Sequence, residues 1–227
     1  MKEFASDLVN LFFPLQCLGC NSPLTPHEKD ICVHCQLQLP FTYFHLDGNN
    51  PMVQKLNTLL KIEAATALCY FEKNSILERM LYQLKYSGQQ QLGAYFGSLM
   101  GELLKHIKDF QNVQAVIPVP LHSKRKRERG YNQATLFGGV IAQHLGVPFV
   151  EGFLLRTRNT KQLAKTKDDR NAVLKNTFEL NLKKNNPKHW LLVDDVITTG
   201  ATLDACGRLL LKNPGNQLSI ATIGYRI

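Results

Sequence analysis

Trp190-Leu191-Leu192-Val193-Asp194-Asp195-Val196-Ile197-Thr198-Thr199-Gly200-Ala201-Thr202-Leu203 is the stretch on which the reading of this chain turns. Leu191, Leu192 and Val193 form an apolar run without alternation, the pattern of a strand buried on both faces of a parallel sheet. Asp194 and Asp195 stand at its exit. In open α/β sheets ligands bind beyond the carboxyl ends of the strands, so two carboxylates there are placed to accept hydrogen bonds from vicinal hydroxyls such as those of a ribose ring.

Thr198-Thr199-Gly200-Ala201-Thr202 then opens a run over 201–211 with Leu203, Leu209 and Leu210 as its apolar residues, as expected of a helix packed on a sheet. The free amides of a first helical turn point at an anion and the macrodipole favours negative charge. Gly200 removes a Cβ that would obstruct backbone wrapping, and threonine hydroxyls add donors. The plain alternative is a buried strand, a polar turn and a capped helix, because Asp and Thr cap helices well. Such caps are common singly, but not as an acidic pair joined to the full five-residue turn. Consecutive strand residues point to opposite faces, so Asp195 is expected where the strand has already bent.

The 227 residues suffice for one substantial core plus a small appendage, and 44% apolar content is ordinary for a soluble globular protein. No apolar run approaches the roughly 20 residues of a bilayer span, and Lys2, Glu3 and Asp7 interrupt any signal-like start, so a cytoplasmic protein is expected. The net charge of +9 is concentrated. Residues 122–129 hold five Lys/Arg against one Glu, and 156–170 hold six against two Asp, together eight of the nine excess charges. Two such segments point to a strongly anionic ligand, whether pyrophosphate, single-stranded nucleic acid or both; a solvated charge run is the plain alternative. No G-x-x-x-x-G-K-[ST] occurs, which disfavours a P-loop kinase or ATPase.

Cys17-x-x-Cys20 and Cys32-x-x-Cys35 are two knuckles separated by eleven residues. Four thiolates so spaced close a tetrahedral zinc shell with no open position, which makes the metal structural. Paired disulfides are the weaker alternative in a reducing cytoplasm, and lost binding a third. Cys69 and Cys206 lie in apolar settings and read as small hydrophobes, while His27 and His34 are spare.

Along the chain, Phe4, Leu8, Leu11 and Phe12 predict a short amphipathic helix within 1–16, stopped at Pro14. A strand is expected over 65–71 and helices over 75–86 and 90–107, packing beside the main sheet. The core is expected to begin with a strand over 113–120, followed by a basic loop over 121–130 and a helix over 132–145 ending at Gly146. Strands over 147–155, 176–182, 190–196 and 217–225 complete the reading, with a surface turn over 183–189.

The 190–203 segment resembles the PRPP (phosphoribosyl pyrophosphate) motif of type I phosphoribosyltransferases, and with its cysteine knuckles the whole chain resembles the ComF family, which includes ComFC and GntX-type proteins. The resemblance implies an α/β type I phosphoribosyltransferase fold, a parallel doubly wound sheet with a hood, plus an N-terminal zinc-binding module. The implied division is 1–40 for that module with its helix, 41–112 for linker and hood, and 113–227 for the core.

It further implies that Asp194 and Asp195 hold the ribose, Asp195 also serving as a base. Thr198, Thr199, Gly200, Ala201 and Thr202 would hold the 5′-phosphate. Lys124, Arg125, Arg127, Arg129 and Gly130 would meet pyrophosphate, with Arg127 and Arg129 acting through Mg²⁺; arginine suits bidentate phosphate contacts. Arg127, Arg129 and Gly130-Tyr131-Asn132-Gln133 match a recurring ComF element. Arg156, Arg158, Thr160 and Gln162, followed by Arg170, Leu174 and Phe178, resemble the mobile catalytic loop. The implied setting is natural transformation, with imported single-stranded DNA and other competence proteins as partners. Transfer of ribose 5-phosphate from PRPP to an unknown acceptor in nucleotide metabolism or salvage is the alternative.

Overall fold

A computed structural model of the protein describes residues 15–157, 177–181 and 187–227. The expected helix within 1–16 and most of the turn over 183–189 therefore lie outside the described residues. Seven helices are described: α1 (Val33–Leu37), α2 (Pro51–Asn57), α3 (Ile76–Tyr86), α4 (Gln91–Lys105), α5 (Ser123–Arg129), α6 (Gln133–Leu145) and α7 (Ala201–Leu210). The strands are β1 (Ala64–Phe71), β2 (Ala115–Pro118), β3 (Leu154–Arg156), β4 (Phe178–Leu180), β5 (His189–Ile197) and β6 (Gln217–Arg226).

The main sheet has the order β1-β6-β5-β2, every pair parallel. Beyond β2, Phe149 adds one parallel bridge to Val116. From β2 the chain crosses through α6 to that edge, whereas from β5 it crosses the other way through α7 to β6. The direction of winding thus reverses between β2 and β5, and their carboxyl ends flank the crevice where open α/β sheets take ligands.

Helices cover both faces, which is why β5 carries an unbroken apolar run. Leu191 and Val193 pack into one core with Leu77, Met80 and Leu84 of α3, Phe96 of α4 and Phe137 of α6. Trp190 and Leu192 pack into the other with Leu56 of α2, Leu203 and Cys206 of α7, and Phe153, whose ring stacks on Trp190 with centroids 4.8 Å apart.

Local chemistry sets the helix ends. Ser75 accepts from Glu78 N–H at 3.2 Å while Glu78 accepts from Asn74 N–H at 2.7 Å, which starts α3. Asn132 accepts from Ala134 N–H at the start of α6, and Gly146 at φ 66° ends it. Gly93, Gly97 and Gly101 form a stripe on α4 that admits α6: a Cβ on Gly97 would stand 2.8 Å from Phe137 O, and one on Gly101 2.7 Å from His144 Cβ.

Three expectations are corrected. The 65–71 strand does not lie beside the main sheet but is its edge, pairing with β6 from Ala64↔Ser219 to Phe71↔Arg226. The basic segment over 121–130 is not a loop: it contains α5, begun by His122, whose Nδ1 accepts from Lys124 N–H, and ended by Gly130 at φ 79°. Residues 147–155 and 176–182 do not supply two core strands. Only Phe149 bridges the main sheet, and β3 pairs antiparallel with β4 in a separate ribbon, because Pro148 and Gly152 break the run before it can form a ladder. The strand expected over 190–196 is found as β5, His189–Ile197.

Gly97→Val should lower stability by about 1–3 kcal/mol, because the added methyls meet helix backbone that cannot move aside cheaply. Gly139→Ala, where a Cβ meets nothing within 4 Å, should raise stability by about 0.5–1 kcal/mol. Thermal unfolding of both variants checks the contrast.

Candidate functional site

Asp194 and Asp195 lie towards the carboxyl end of β5, both partly buried. The strand is irregular here. Val193 and Ile197, four residues apart, would share a side of a regular strand, yet Val193 belongs to the α3–α4–α6 core and Ile197 to the α2–α7 core. Register pairs run Asp194↔Thr222 and Val196↔Gly224, and Asp195 sits at the rotation between them. The bend expected before Asp195 is thus a twist within the strand at Asp195.

The two carboxylates are in different electrostatic states. Asp195 Oδ2 pairs with Lys85 Nζ of α3 at 2.6 Å, with side-chain exposures of only 18% and 21%. Asp194 Oδ1 accepts from Asp195 N–H at 2.8 Å. Burial, reinforced by the neighbouring Asp195 charge, raises the Asp194 pKa to about 7, against the opposing pull of that hydrogen bond, Lys85 and Arg156. Cys206 on α7 lies near Asp194, and burial raises its thiol pKa well above the usual range; burial brings Cys69 up to about 12. Both thiols are free, buried and inert, as the sequence suggests.

The turn after β5 exposes Thr198 and Thr199 and places Gly200 at φ 81°, a left-handed conformation that favours glycine. A Cβ on Gly200 would approach Leu59 Cδ1 of the α2 side to 3.0 Å. Thr199 Oγ1 accepts from Ala201 N–H at 3.4 Å, and Lys55 Nζ of α2 donates to Thr198 O at 3.0 Å. Ala201 and Thr202 form the start of α7.

Helix α5 stands at the exit of the adjacent strand β2. Ser123, Lys126, Arg127 and Gly130 share one side of it and line a cleft of about 440 Å³. A neighbouring cleft of about 540 Å³ is bounded by Pro118, Leu121, Lys126, Glu151, Arg156 and Thr157 among others. Arg156, at the end of β3, is within electrostatic reach of Asp194 and Arg125. Lys124 is exposed and Arg125 partly so. Arg129 faces elsewhere: it donates to Gln133 Oε1 at 2.8 Å and to Tyr86 Oη at 3.1 Å. The Gly130-Tyr131-Asn132-Gln133 element pins this region, for Tyr131 donates to Leu84 O and Asn132 donates to Val119 O at 3.0 Å. Arg158, Thr160, Gln162, Arg170 and Leu174 lie outside the described residues.

Cys17, Cys20, Cys32 and Cys35 converge with their sulfurs all within 4.8 Å of one another. Cys20 and Cys32 Sγ are 3.7 Å apart, close to the edge of about 3.8 Å that a tetrahedron of 2.3 Å zinc–sulfur bonds requires. Gly19 N–H and Cys32 N–H donate to Cys17 Sγ; Ser22 hydrogen bonds bring Cys20 down to about 6, whereas burial pushes the Cys35 thiol up. All four are free thiols and could hold a metal ion.

Sequence reasoning missed the two lysines that bind the site together. Lys85 and Lys55 come from helices far from β5 in sequence, and a single lysine on an amphipathic helix carries no signal of its partner. The Lys126–Glu151 pair at 3.9 Å, with Glu151 accepting from Thr135 Oγ1, was equally invisible.

Because the folded-state pKa of Asp194 lies above its ordinary 3.8, folding favours the protonated form. That stabilisation is complete below about pH 4 and is lost as pH rises through about 7. Asp194→Asn should therefore be more stable than the native chain at pH 8, on the order of 1–2 kcal/mol after allowance for partial exposure, and the gap should close towards pH 4. Melting curves of the two proteins across this range measure it.

A scan against models of protein families gives no match. Individual proteins do match. The chain is 31% identical over 215 residues to Competence protein F of Haemophilus influenzae, covering 88% of this chain and 93% of that protein. It is 28% identical over 224 residues to DNA utilization protein YhgH of Escherichia coli O157:H7 (89% and 93% covered) and 28% over 206 residues to Competence protein ComFC of Bacillus subtilis (91% and 81%). Among solved structures it is similar to adenine phosphoribosyltransferase of Leishmania tarentolae, at 14% identity and TM-score 0.40 over 62% of this chain and 73% of that one. A hypoxanthine phosphoribosyltransferase of Staphylococcus aureus gives 14%, 0.37, 69% and 83%. Identity to Competence protein F along nearly its whole length, together with the acidic strand exit, the glycine turn and the four-cysteine cluster, makes this chain a member of the ComF family.

Proposed function

We propose that the protein binds a phosphoribosyl ligand of the PRPP class with Mg²⁺ in the crevice between β2 and β5, and that it serves the handling of DNA to which its relatives' names refer. One observation carries the reading: an acidic pair and a glycine turn opening a helix leave β5 beside a cationic helix leaving β2, at the reversal of the sheet. Asp194 is suited to ribose hydroxyls, the turn to a 5′-phosphate, and Ser123, Lys126 and Arg127 to a pyrophosphate group.

Lys85 already occupies Asp195, so the acidic pair presents at most one negative charge, and a cation at this site would be held chiefly by the ligand's own pyrophosphate oxygens. Mg²⁺, when bound with such a ligand, would supply neutralisation of the pyrophosphate charge. The cysteine cluster fits zinc in a closed, structural role. Group transfer to an acceptor is the alternative use of the same crevice, with Arg127 meeting the departing pyrophosphate and Asp195 acting as base once Lys85 has let it go.

Isothermal titration with PRPP and Mg²⁺ tests the reading. The native chain should bind and the Asp194→Ala, Asp195→Ala double variant should lose about 10-fold or more in affinity, the scale set by lost charge-assisted hydrogen bonds. No binding by the native chain rejects the proposal, and acceptor-dependent pyrophosphate release would establish transfer.

A second reading, direct contact with single-stranded DNA, is favoured by an exposed aromatic pair. Tyr82 and Tyr86 on α3 are 61% and 60% exposed with ring centroids 5.0 Å apart, and Arg129 lies 5.0 Å over Tyr86 beside α5. Bases stack on such rings while cations track the backbone. The Tyr82→Ala, Tyr86→Ala pair should weaken oligo-dT binding about 5–100-fold, and Arg125→Gln with Arg127→Gln should flatten its salt dependence. Fluorescence anisotropy at several salt concentrations decides; unchanged affinity in both variants would exclude the contact.

A further inference from the structure

Lys55 has no part in the ligand contacts proposed above, yet it is held with unusual definition for a partly exposed lysine. It lies on α2, 143 residues from Thr198, and its ammonium donates to Thr198 O at 3.0 Å and to Arg226 O at 3.3 Å while standing 4.5 Å from the Tyr225 ring centroid. Two carbonyls and a π face fix the head group, and a lysine carries three donors, so one remains. The two chain segments it joins are the turn that starts at Thr198 and the end of β6.

The consequence follows from peptide geometry. A trans peptide is planar, with its C=O and N–H pointing in opposite directions, and no described peptide bond is cis. Holding the Thr198 carbonyl towards α2 therefore turns the Thr199 N–H away from α2. The same region also bounds Gly200: side-chain carbons of Leu59, just beyond α2, and of Leu56 on α2 would stand 3.0 and 3.5 Å from a Cβ there. The turn thus lies close to two leucines and is held by one ammonium from the same region.

We infer that Lys55 is a positioning residue for the phosphate turn: by gripping the Thr198 carbonyl it aims the Thr199 amide into the cradle at the start of α7, and so makes the site select a phosphorylated sugar over the free sugar. The inference rests on the phosphoribosyl reading of the crevice. It assigns to α2, a helix that the sequence leaves in a linker, the task of setting which amides an anion meets. Lysine is suited to this because its ammonium reaches two carbonyls at once, whereas a neutral side chain of equal length would leave the Thr198 peptide free to rotate.

The experiment uses the full chain with ¹⁵N-labelled backbone. Ribose 5-phosphate and ribose are titrated into the native protein, Lys55→Met and Lys55→Arg, with melting temperatures measured in parallel. The native chain should show shifts at the Thr199, Ala201 and Thr202 amides with ribose 5-phosphate and none with ribose. Lys55→Met should lose affinity for ribose 5-phosphate by about 10-fold and lose the Thr199 shift, and Lys55→Arg should restore both, the size being that of a misplaced hydrogen bond to a charged group.

If Lys55→Met binds ribose 5-phosphate as the native chain does, the role given to Lys55 is overturned while the cradle stands. Weaker binding with the Thr199 shift intact also overturns it, since the lysine would then act by charge alone. Should Lys55→Met fail to fold, Lys55→Gln takes its place in the same comparison. If no amide of the native chain between Thr198 and Leu203 responds to ribose 5-phosphate, the phosphoribosyl reading itself falls, and the inference with it.

Discussion

Burial of β5 on both faces is the constraint from which the site follows. With α3, α4 and α6 on one side and α2 and α7 on the other, the strand carries a polar side chain within the core only where it finds a buried partner, as His189 does in Ser219 Oγ at 2.9 Å. Polar chemistry is therefore expelled to the carboxyl end, and the reversal of winding between β2 and β5 opens the crevice there. The α7 amides, the α5 cations and the acidic pair meet there because the exits of β2 and β5 and the starts of the helices that follow them face the same crevice.

Electrostatic balance in the crevice depends on groups from both faces. Two adjacent carboxylates repel, and burial worsens the repulsion, so Asp194 retains its proton more readily than an ordinary aspartate. Lys85 relieves Asp195 at 2.6 Å and ties α3 to the strand. A ligand that offers hydroxyls to the acidic pair and phosphates to the cations would complete this balance, whereas a ligand carrying only negative charge would meet the acidic pair unfavourably.

The cysteine cluster shares a core with this machinery. Cys17, Cys32 and Cys35 pack in one core with Leu77, Met80 and Leu81 of α3, and Gly19 leaves room for the cluster, since a Cβ there would stand 2.9 Å from Cys35 Sγ. Helix α3 thus has the cysteine knuckles on one side and, at Lys85, the acidic pair on another. Fixing the knuckles fixes the helix that supplies Asp195 with its counter-charge. The tyrosines on its outer surface inherit the same support.

Much was legible from sequence because it depends on local rules. An apolar run without alternation fixed the doubly covered strand, the acidic pair and glycine turn marked its exit, and the spacing of the cysteines predicted their convergence. Helix limits at Ser75, Asn132 and Gly146 were readable because caps are local. The tertiary structure alone decided that 64–71 is an edge strand of the main sheet, that the basic segment coils into a short helix turning Arg129 towards Tyr86, and that 154–156 joins a separate ribbon. It alone brought Lys55 and Lys85 to the turn and the acidic pair. Strand partners and long-range ion pairs are set by which surfaces meet when the core closes, and a sequence pattern, being local, records the surface each element must bury but not the partner that buries it.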